Sequence, residues 1–290
     1  MAKEKNIKFK VDELVLFKTV ITTYEIIAAA SMQKVRSSVL SSRDFHSELI
    51  TVFREVRAAY KSNLERIERR QKILSKVIPA AFLKSSRTAY VFLSANTGLY
   101  GGIIFKTFEL FSKEFIEKKP DEVAIIGRVG QAMFKNAFPE RLFAAFDFPD
   151  TAISEPALKD ISDHLRAFGE VVVFHGSFKS ILNQIPVFYS VSGSPLSSEI
   201  PEVKIETKYR FEPALEEIFK FFETEIFAVL LGQVFHESRL AKLASRLLML
   251  DSASGNVERF LNKAIFEQQK DKHRVFNRKQ INSYNAFAFW

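Results

Sequence analysis

The residues of this sequence that could carry out chemistry form a glycine-rich turn and one histidine–serine pair. The turn, residues 94–102, follows a short apolar run at 90–93 and contains three glycines. Such a turn can hold a phosphate group at the start of a helix. Its spacing matches neither the dinucleotide fingerprint nor the P-loop, because the required Lys-Ser/Thr pair and the downstream acid are missing. We therefore expect close packing, rather than a nucleotide, to explain Gly98, Gly101 and Gly102.

The histidine–serine pair is His175 and Ser177, which follow a second apolar run at 171–174. A hydrolytic triad also needs a carboxylate near the histidine, and the neighbouring sequence offers no convincing one. His46 and His236 would make a weak metal site, because they lack a carboxylate at ligand spacing. The chain has no cysteine, which excludes disulfides and thiolate ligands. We expect no catalytic residue, no cofactor and no metal in this chain.

The distribution of proline divides the chain into three parts. All nine prolines lie between Pro79 and Pro213, and eight of the ten glycines lie between the same two residues. Because proline breaks helix interiors, we expect two long helical arms around a turn-rich middle. The sequence predicts an N-terminal coiled-coil helix at 1–78, a central domain at 79–212, and a C-terminal coiled-coil helix with an apolar tip at 213–290.

The middle part alternates short apolar runs with glycine turns and amphipathic stretches. The runs at 90–93, 123–126 and 171–174 are each followed by glycine within a few residues. An amphipathic stretch at 103–116 follows the first run, and a shorter one at 131–136 follows the second. Alternation of this kind predicts a small, Rossmann-like α/β domain.

The N-terminal arm carries residues at the alternating three- and four-residue spacing of a coiled-coil seam. From residue 32 the seam positions are Met32, Val35, Val39, Ser42, His46, Leu49, Phe53, Val56 and Tyr60. The earlier positions, out of phase with these, are Leu14, Phe17, Ile21, Tyr24 and Ala28. The interval between Ala28 and Met32 therefore predicts a stutter, which would unwind a supercoil locally.

The C-terminal arm keeps one alternation throughout. Its seam positions are Phe219, Phe222, Ile226, Val229, Gln233, His236, Leu240, Leu243, Leu247, Leu250, Ser254, Val257, Leu261 and Ala264. Two seams of comparable length, separated by one domain, pair most simply as an antiparallel two-helix coiled coil. The predicted fold class is therefore α/β, with this coiled coil added to the central domain.

The charge of the chain favours anionic partners. The formal net charge is +8 and the pI is about 9.4, which suits an acidic protein or membrane surface. Basic and aromatic residues form no compact nucleic-acid motif, so we expect no nucleic acid. The N-terminus lacks the apolar core of a signal peptide, and no run reaches about 18–20 apolar residues. We expect a soluble chain, or one held at a membrane by its partners.

The end of the C-terminal arm combines a basic segment with an apolar tip. Residues 270–279 hold five lysines and arginines against a single Asp271. The tip then carries Phe287, Phe289 and Trp290, which a free helix end would expose to water. This combination favours a tip inserted into an apolar socket of a partner protein.

Five segments, in order along nearly the whole chain, resemble the gamma subunit of F-type ATP synthases. They are 26–36 (IIAAASMQKVR), 94–102 (SANTGLYGG), 126–130 (IGRVG), 209–213 (YRFEP) and 244–256 (ASRLLMLDSASGN). The acid and the arginine of the family's second segment are Asn96 and Thr97 here, and the basic residue after its alanine triplet is Ser31. The chain is therefore identified as a divergent member of this family.

The resemblance implies a central-stalk rotor subunit without an active site of its own. It would couple rotation of a membrane ion-translocating ring, the c-ring, to ATP synthesis or hydrolysis in alpha and beta subunits. The residues implied to face the alpha/beta sleeve and its acidic loops are Lys34, Arg36, Arg246, Lys270, Lys272, Arg274, Phe287, Phe289 and Trp290. Tyr209 and Glu212 would lie at the end that contacts the epsilon subunit and the c-ring. The implied location is peripheral, at the cytoplasmic face of a bacterial inner membrane.

Two other functions stay open at the level of sequence. A stand-alone coiled-coil scaffold with an α/β domain would form stable dimers and would not need the aromatic tip. A small nucleotide-binding enzyme with helical extensions would bind nucleotide as an isolated chain, which a rotor subunit would not.

Overall fold

The computed structural model of the chain describes residues 2–70, 87–191 and 215–288. The chain divides into two compact units. Unit 1 contains residues 1–31 and 246–290, and unit 2 contains residues 32–245. The predicted residues Tyr209 and Glu212 lie outside the described residues.

Five helices and five strands make up the described part of the chain. In order they are α1 (Ala2–Arg70), β1 (Thr88–Leu93), α2 (Ile103–Lys118), β2 (Glu122–Ile126), α3 (Arg128–Ala137), β3 (Ala144–Phe146), α4 (Glu155–Leu165), β4 (Glu170–Phe178), β5 (Gln184–Ser190) and α5 (Leu215–Ala288). The strands form one sheet in the order β3-β2-β1-β4-β5. The pairs β3–β2, β2–β1 and β1–β4 are parallel, and β4–β5 is antiparallel.

The sheet of unit 2 lies between two helical layers, as the alternation along β1 requires. Val91 and Leu93 belong to a core that includes residues of α4 and α5. Tyr90 and Phe92 point the other way, into a core formed with α2 and α3. The α/β fold class predicted from the sequence is confirmed, together with long N- and C-terminal helices.

Phenylalanine fills the second core. Phe111 of α2 is fully buried, and its ring lies 5.5 Å from that of Phe92 and 5.3 Å from that of Phe174. The ring of Phe134 of α3 lies 6.0 Å from that of Phe111. Stacked and edge-on ring pairs of this kind add packing energy beyond the area that they bury. Part of the chain's unusual phenylalanine content is therefore core filling.

Unit 1 consists of the start of α1 and the end of α5, which run antiparallel. Lys18 Nζ lies 3.3 Å from Glu258 Oε1, and the Arg246 guanidinium lies 5.6 Å from the ring centroid of Tyr24. As the α1 number rises from 18 to 24, the α5 number falls from 258 to 246. The antiparallel pairing that the sequence predicts is present in this unit.

The seam predicted for the first part of α1 is right at Leu14, Ile21 and Ala28 and wrong at Phe17 and Tyr24. Its less exposed positions there are Ile7, Val11, Leu14, Lys18, Ile21, Glu25 and Ala28. Phe17 and Tyr24, which the sequence assigned to the seam, are 53% and 43% exposed. The spacing from Ala28 to Met32 continues the alternation of this set, so the predicted stutter is not needed. Apolarity identified the wrong positions because this segment is apolar on nearly every side.

The seam predicted for α5 is confirmed over its described side chains. Leu240, Leu243, Leu250 and Ala264 are buried. The positions between them are half-buried: Gln233, His236, Leu247, Ser254, Val257 and Leu261. From residue 247 to residue 264 these positions are the less exposed ones, whereas from residue 226 to residue 245 side chains are buried on several sides of the helix.

One segment of α1, Asn6–Ser37, is long and apolar enough to cross a membrane, by length and composition only. Its mean hydropathy reaches 1.5, and 6% of the apolar window is buried. The sequence has no unbroken apolar run of that length here, because Lys18 and Glu25 interrupt it. An averaged window detects the same segment. This apolar exposure is a main feature of unit 1.

Candidate functional site

The outward faces of unit 1 are unusually apolar for a surface in contact with water. On α1 the exposed large apolar residues are Phe9, Val15, Leu16, Phe17, Val20, Tyr24, Ile26 and Ile27. On α5 they are Leu248, Met249, Phe260, Phe266, Val275, Phe276, Ile281 and Tyr284. Leu16, Ile26 and Phe266 are each 65% exposed. A helix that is hydrophobic all round is ordinarily buried, so these faces are suited to contact with another apolar surface.

The polarity of α1 in this unit is inverted relative to a surface helix. From residue 14 to residue 31 the charged residues are Lys18 and Glu25. Both lie on the less exposed side of the helix, and Lys18 pairs with Glu258 of α5. The outward side carries Leu16, Val20 and Ile27. Between residues 14 and 31, α1 therefore places its two charges on its less exposed side and presents hydrocarbon outward.

The basic residues predicted to bind partners are distributed over both units. Lys34 and Arg36 are exposed on α1 in unit 2. Four lie on α5 in unit 1: Arg246, Lys270, Lys272 and Arg274. Of these four, Arg246 is half-buried and the other three are exposed.

Two of these α5 arginines already have contacts inside unit 1. Arg246 packs against the ring of Tyr24, and Arg274 Nη1 lies 3.6 Å from Asp271 Oδ1. The aromatic tip predicted to enter a socket cannot be placed. The side chain of Phe287, and Phe289 and Trp290 altogether, lie outside what the structure describes.

A second polar site lies where α5 crosses the carboxyl ends of the sheet strands in unit 2. Lys242 Nζ donates to the carbonyl oxygen of Ser94, just after β1, at 2.8 Å. The same ammonium lies 4.0 Å from Asp150 Oδ1, in the loop after β3. One helical turn earlier, Arg239 donates to the carbonyl oxygen of Thr151. We call Lys242, Asp150 and Ser94 the α5 joint.

Asp150 is held firmly by the turn after β1. Its carboxylate accepts from the backbone N–H of Asn96 at 3.0 Å and from that of Thr97 at 2.9 Å. The Thr97 hydroxyl donates to it as well, at 3.0 Å. Asn96 and Thr97 replace the acid and the arginine of the family's second segment. Here they organise an acidic loop instead of carrying charge themselves.

Asn96 also joins the turn to the loops after β2 and β3. Its side-chain amide donates to Asp147 and to the carbonyl oxygen of Phe148, and its Oδ1 accepts from the Arg128 backbone N–H at 3.0 Å. Arg128 Nη2 in turn lies 2.9 Å from Asp147 Oδ2. The hydrogen bonds from Arg128 and Asn96 hold the pKa of Asp147 below its usual value.

Lys242 is a buried charge, with 11% of its side chain exposed. Desolvation lowers its pKa from 10.5 to about 8, and attraction to Asp150 opposes that shift only in part. Arg239, nearby on the same helix, lowers the pKa of Lys242 further. At neutral pH the ammonium is therefore still mainly charged, but it titrates well below an ordinary lysine.

Side chains of α5 fill the crevice in which open α/β sheets ordinarily bind ligands. Such sheets bind at the carboxyl ends of strands where the strand order reverses, here beside β1 and β4. The cavity left between Phe148, Asp150, Phe235, Arg239 and Lys242 holds about 10 Å³, room for roughly one water molecule. The space here is packed rather than open.

The glycine turn is explained in part by the same packing. Gly101 has φ +63°, and a Cβ there would lie 2.5 Å from Ser245 Oγ and 2.9 Å from the Ser245 carbonyl oxygen. The predicted packing role is confirmed for this glycine. A Cβ at Gly98 or Gly102 would meet nothing within 4 Å, so close packing does not explain those two.

The structure supplies the acidic partner of Ser177 that the sequence did not reveal. The Ser177 hydroxyl donates to Glu237 Oε1 of α5 at 2.6 Å. His175 is buried, and its Nδ1 lies 3.0 Å from the carbonyl oxygen of Gly176. Burial lowers the pKa of His175. The serine therefore contacts the carboxylate directly, whereas in a catalytic triad the histidine lies between them. This hydrogen bond links α5 to β4.

Comparison with known proteins gives one consistent result. The model of the ATP synthase family matches residues 3–273. The ATP synthase gamma chain of Mycoplasmopsis pulmonis is 24% identical over 253 residues, which is 82% of each chain. The ATP synthase gamma chain of Geobacter sp. strain M21 is 24% identical over 280 residues, 91% of this chain and 90% of that one.

Solved structures show the same fold at lower identity. A chain from the central stalk and c-ring of the Tetrahymena thermophila mitochondrial ATP synthase superposes with a TM-score of 0.58 at 16% identity, covering 81% of this chain and 99% of that one. A chain from the Euglena gracilis mitochondrial ATP synthase superposes with a TM-score of 0.51 at 12% identity, covering 90% of this chain and 94% of that one.

Proposed function

The chain belongs to the ATP synthase gamma family, and from this premise we propose that it is the central-stalk rotor subunit of an ATP synthase or ATPase. In this role it couples rotation of an ion-translocating membrane ring to synthesis or hydrolysis of ATP in partner subunits. Catalysis belongs to those partners. The protein is associated with a membrane through the assembled complex.

The observation that carries this proposal is the inverted polarity of unit 1. Its outward faces carry Leu16, Ile26, Phe266 and similar residues, while the two charges of α1 between residues 14 and 31 lie on its less exposed side. Contiguous exposed apolar surface marks an interaction site. A surface that surrounds both helices of the pair fits a sleeve of partner subunits better than a single flat contact. The sleeve proposed here is a ring of alternating alpha and beta subunits.

We assign the basic side chains to acidic loops of the same ring. Lys270 and Lys272 are exposed on α5 of unit 1. Exposed charges of this kind set orientation and the rate of encounter more than affinity. Lys34, Arg36, Arg246 and Arg274 are proposed to make further contacts of this class, and Phe287, Phe289 and Trp290 to extend the apolar contact at the tip.

The α/β sheet of unit 2 is the proposed attachment end. We assign Tyr209 and Glu212 to contacts with the epsilon subunit and the c-ring. The curated relatives reported above are bacterial, which supports a location at the cytoplasmic face of a bacterial inner membrane, peripheral and held there by partners.

Purification of the intact complex through a tag on this chain tests the proposal. We expect two larger nucleotide-binding proteins to co-purify, each in about threefold molar excess over the chain, as a ring around a single rotor requires. Recovery of the chain only as a self-associated dimer would support the scaffold alternative instead. Nucleotide binding by the isolated chain would contradict a purely mechanical role.

A further inference from the structure

We propose that the α5 joint, formed by Lys242, Asp150 and Ser94, transmits torque between α5 and the α/β sheet. This inference rests on the proposed rotor function and names the residues that would make its two parts turn together. A rotor transmits torque only if helix and sheet resist sliding against each other. The contacts that fix the register between α5 and the sheet therefore decide how well torque is transmitted.

The polar links from α5 reach three different strand ends within a short stretch of helix. Glu237 accepts from Ser177 at the end of β4. Arg239 donates to Thr151 in the loop after β3. Lys242 donates to Ser94 after β1. Links to three separate points can resist rotation as well as translation, which one link cannot.

Near Lys242 the contact between α5 and the sheet is close and made by a small side chain. Ala241 lies so near the sheet that a Cβ at Gly176 would approach its side chain to 3.4 Å. Earlier in α5, Phe227, Leu231 and Phe235 pack into the apolar core of the sheet. Apolar contact is non-directional, so we expect the directional hydrogen bonds and the ion pair to add the resistance to sliding at this end of the contact.

Lys242 is the central link because its partners are fixed in advance. Asp150 is held by the backbone N–H groups of Asn96 and Thr97, and Ser94 is part of the backbone that continues β1. Two other charged or titratable groups face the ammonium. They are Arg239 and Tyr100, whose ring centroid lies 5.9 Å from Lys242 Nζ. A flexible lysine thus bridges two rigid anchors.

The main experiment measures torque in the assembled complex. Because this chain has no cysteine, Lys106→Cys on the exposed side of α2 gives it a single thiol for a rotation probe, once partner cysteines are removed. The complex is immobilised on a surface through its partner subunits, and its rate of ATP hydrolysis is measured in a separate assay. With Lys242→Met we expect hydrolysis within about twofold of the parent and stall torque lowered about threefold or more.

Lys242→Arg is the matched control, since it keeps the charge and is expected to keep most of the torque. Unchanged stall torque in an assembled Lys242→Met complex would overturn the joint. Failure of the parent chain to assemble with nucleotide-binding partners would instead reject the proposed function.

The pH dependence separates a joint from a merely structural lysine and needs only the charge-conserving variant Lys242→Arg. Between about pH 7 and pH 9.5 the ammonium loses its charge and its attraction to Asp150, so torque should fall. Lys242→Arg stays charged and should show no such fall, which also controls for titration of the partners. Parallel pH profiles in parent and Lys242→Arg would overturn the proposal.

Discussion

At the scale of single residues, burial of Lys242 predicts an unusual pH dependence of stability. Its folded pKa is about 8 and its unfolded value is 10.5. Between those values the unfolded chain binds more protons, so stability rises with pH through that window and is constant below it. We expect the free energy of unfolding to rise by about 1–3 kcal/mol.

Denaturant unfolding of the intact chain at several pH values between 7 and 11 measures this effect. The comparison with Lys242→Met isolates it, because every other titrating group is shared. The difference between the two curves should be flat below pH 8 and should change between pH 8 and 10.5. A constant difference over the whole range would show that Lys242 titrates normally.

Asn96 is a second residue for which the structure makes a sharp prediction. Asn96→Asp would replace a donor to Asp147 by a second carboxylate, beside Asp150 as well. Like charges at contact distance and a lost hydrogen bond should cost about 1–3 kcal/mol of stability. Chemical denaturation of the isolated chain gives this value.

The double variant Asn96→Asp/Asp147→Asn provides the control, because it exchanges donor and acceptor. We expect the pair to recover about 1 kcal/mol or more relative to the sum of the single variants. Simple additivity would mean that the two side chains do not interact in solution.

The contacts of these residues could not be predicted from the sequence. Asp150 lies 54 residues from Asn96 along the chain, and Ser94 lies 148 from Lys242. Glu237 and Ser177 are separated by 60. Neither a motif nor a periodicity links such pairs. Their proximity follows from the parallel strand order, which brings the ends of β1, β3 and β4 to one edge.

At the scale of elements, Gly101 controls how closely α5 approaches the turn after β1. Gly101→Ala should lower stability by about 1–3 kcal/mol, because φ +63° disfavours a side chain and the new Cβ would overlap Ser245. Gly98→Ala in the same turn is the matched control, since its Cβ would enter open space. We expect a change within about 0.5 kcal/mol there.

Unfolding midpoints of the two alanine variants test this pair directly. Equal effects of the two substitutions would show that α5 does not lie against Gly101. Because Lys242 is one turn away from Ser245, the Gly101→Ala chain should also show a weaker pH dependence of stability.

Elements with strong local signals were predictable and the others were not. The runs that became β1, β2 and β4 are apolar throughout, as strands covered on both faces are. β3 has three residues, too few for a pattern, and β5 holds Pro186, which is tolerated at an edge. α4 was not predicted, although Ser154 and Pro156 at its start are typical of a helix beginning.

At the scale of the whole molecule, the outward apolar faces of unit 1 should matter for assembly and little for folding. Leu16→Gln combined with Ile26→Gln changes two side chains that are each 65% exposed. We expect stability of the isolated chain to change by less than about 0.5 kcal/mol per substitution. Binding to the nucleotide-binding partners should weaken by about tenfold or more.

Phe105→Gln is the control, because Phe105 is 64% exposed but lies on α2 in unit 2. Its binding to the same partners should be close to that of the parent chain. Pull-down at matched concentrations, with unfolding curves for each variant, separates the two effects. Unimpaired assembly of the double variant would contradict a sleeve around unit 1.

The family and the fold class were predictable because ordered motifs and proline distribution act over the whole chain. The location of the exposed apolar surface was only partly predictable from the sequence. The sequence pointed to Phe287, Phe289 and Trp290 at the tip, whereas the structure displays apolar residues along the described lengths of both helices in unit 1. Heptad reasoning assumes that apolar positions face the partner helix, and here the outward positions are apolar as well.

The inverted polarity of unit 1 also has a consequence for the cell that makes this protein. Before it binds its partners, a chain with so many exposed apolar side chains is prone to aggregate, since exposed apolar patches drive aggregation. Its synthesis must therefore keep step with that of the ring, or chaperones must hold it in the interval. We expect overproduction of this chain alone to lower the fraction of it that is soluble, and co-expression with the ring subunits to raise that fraction.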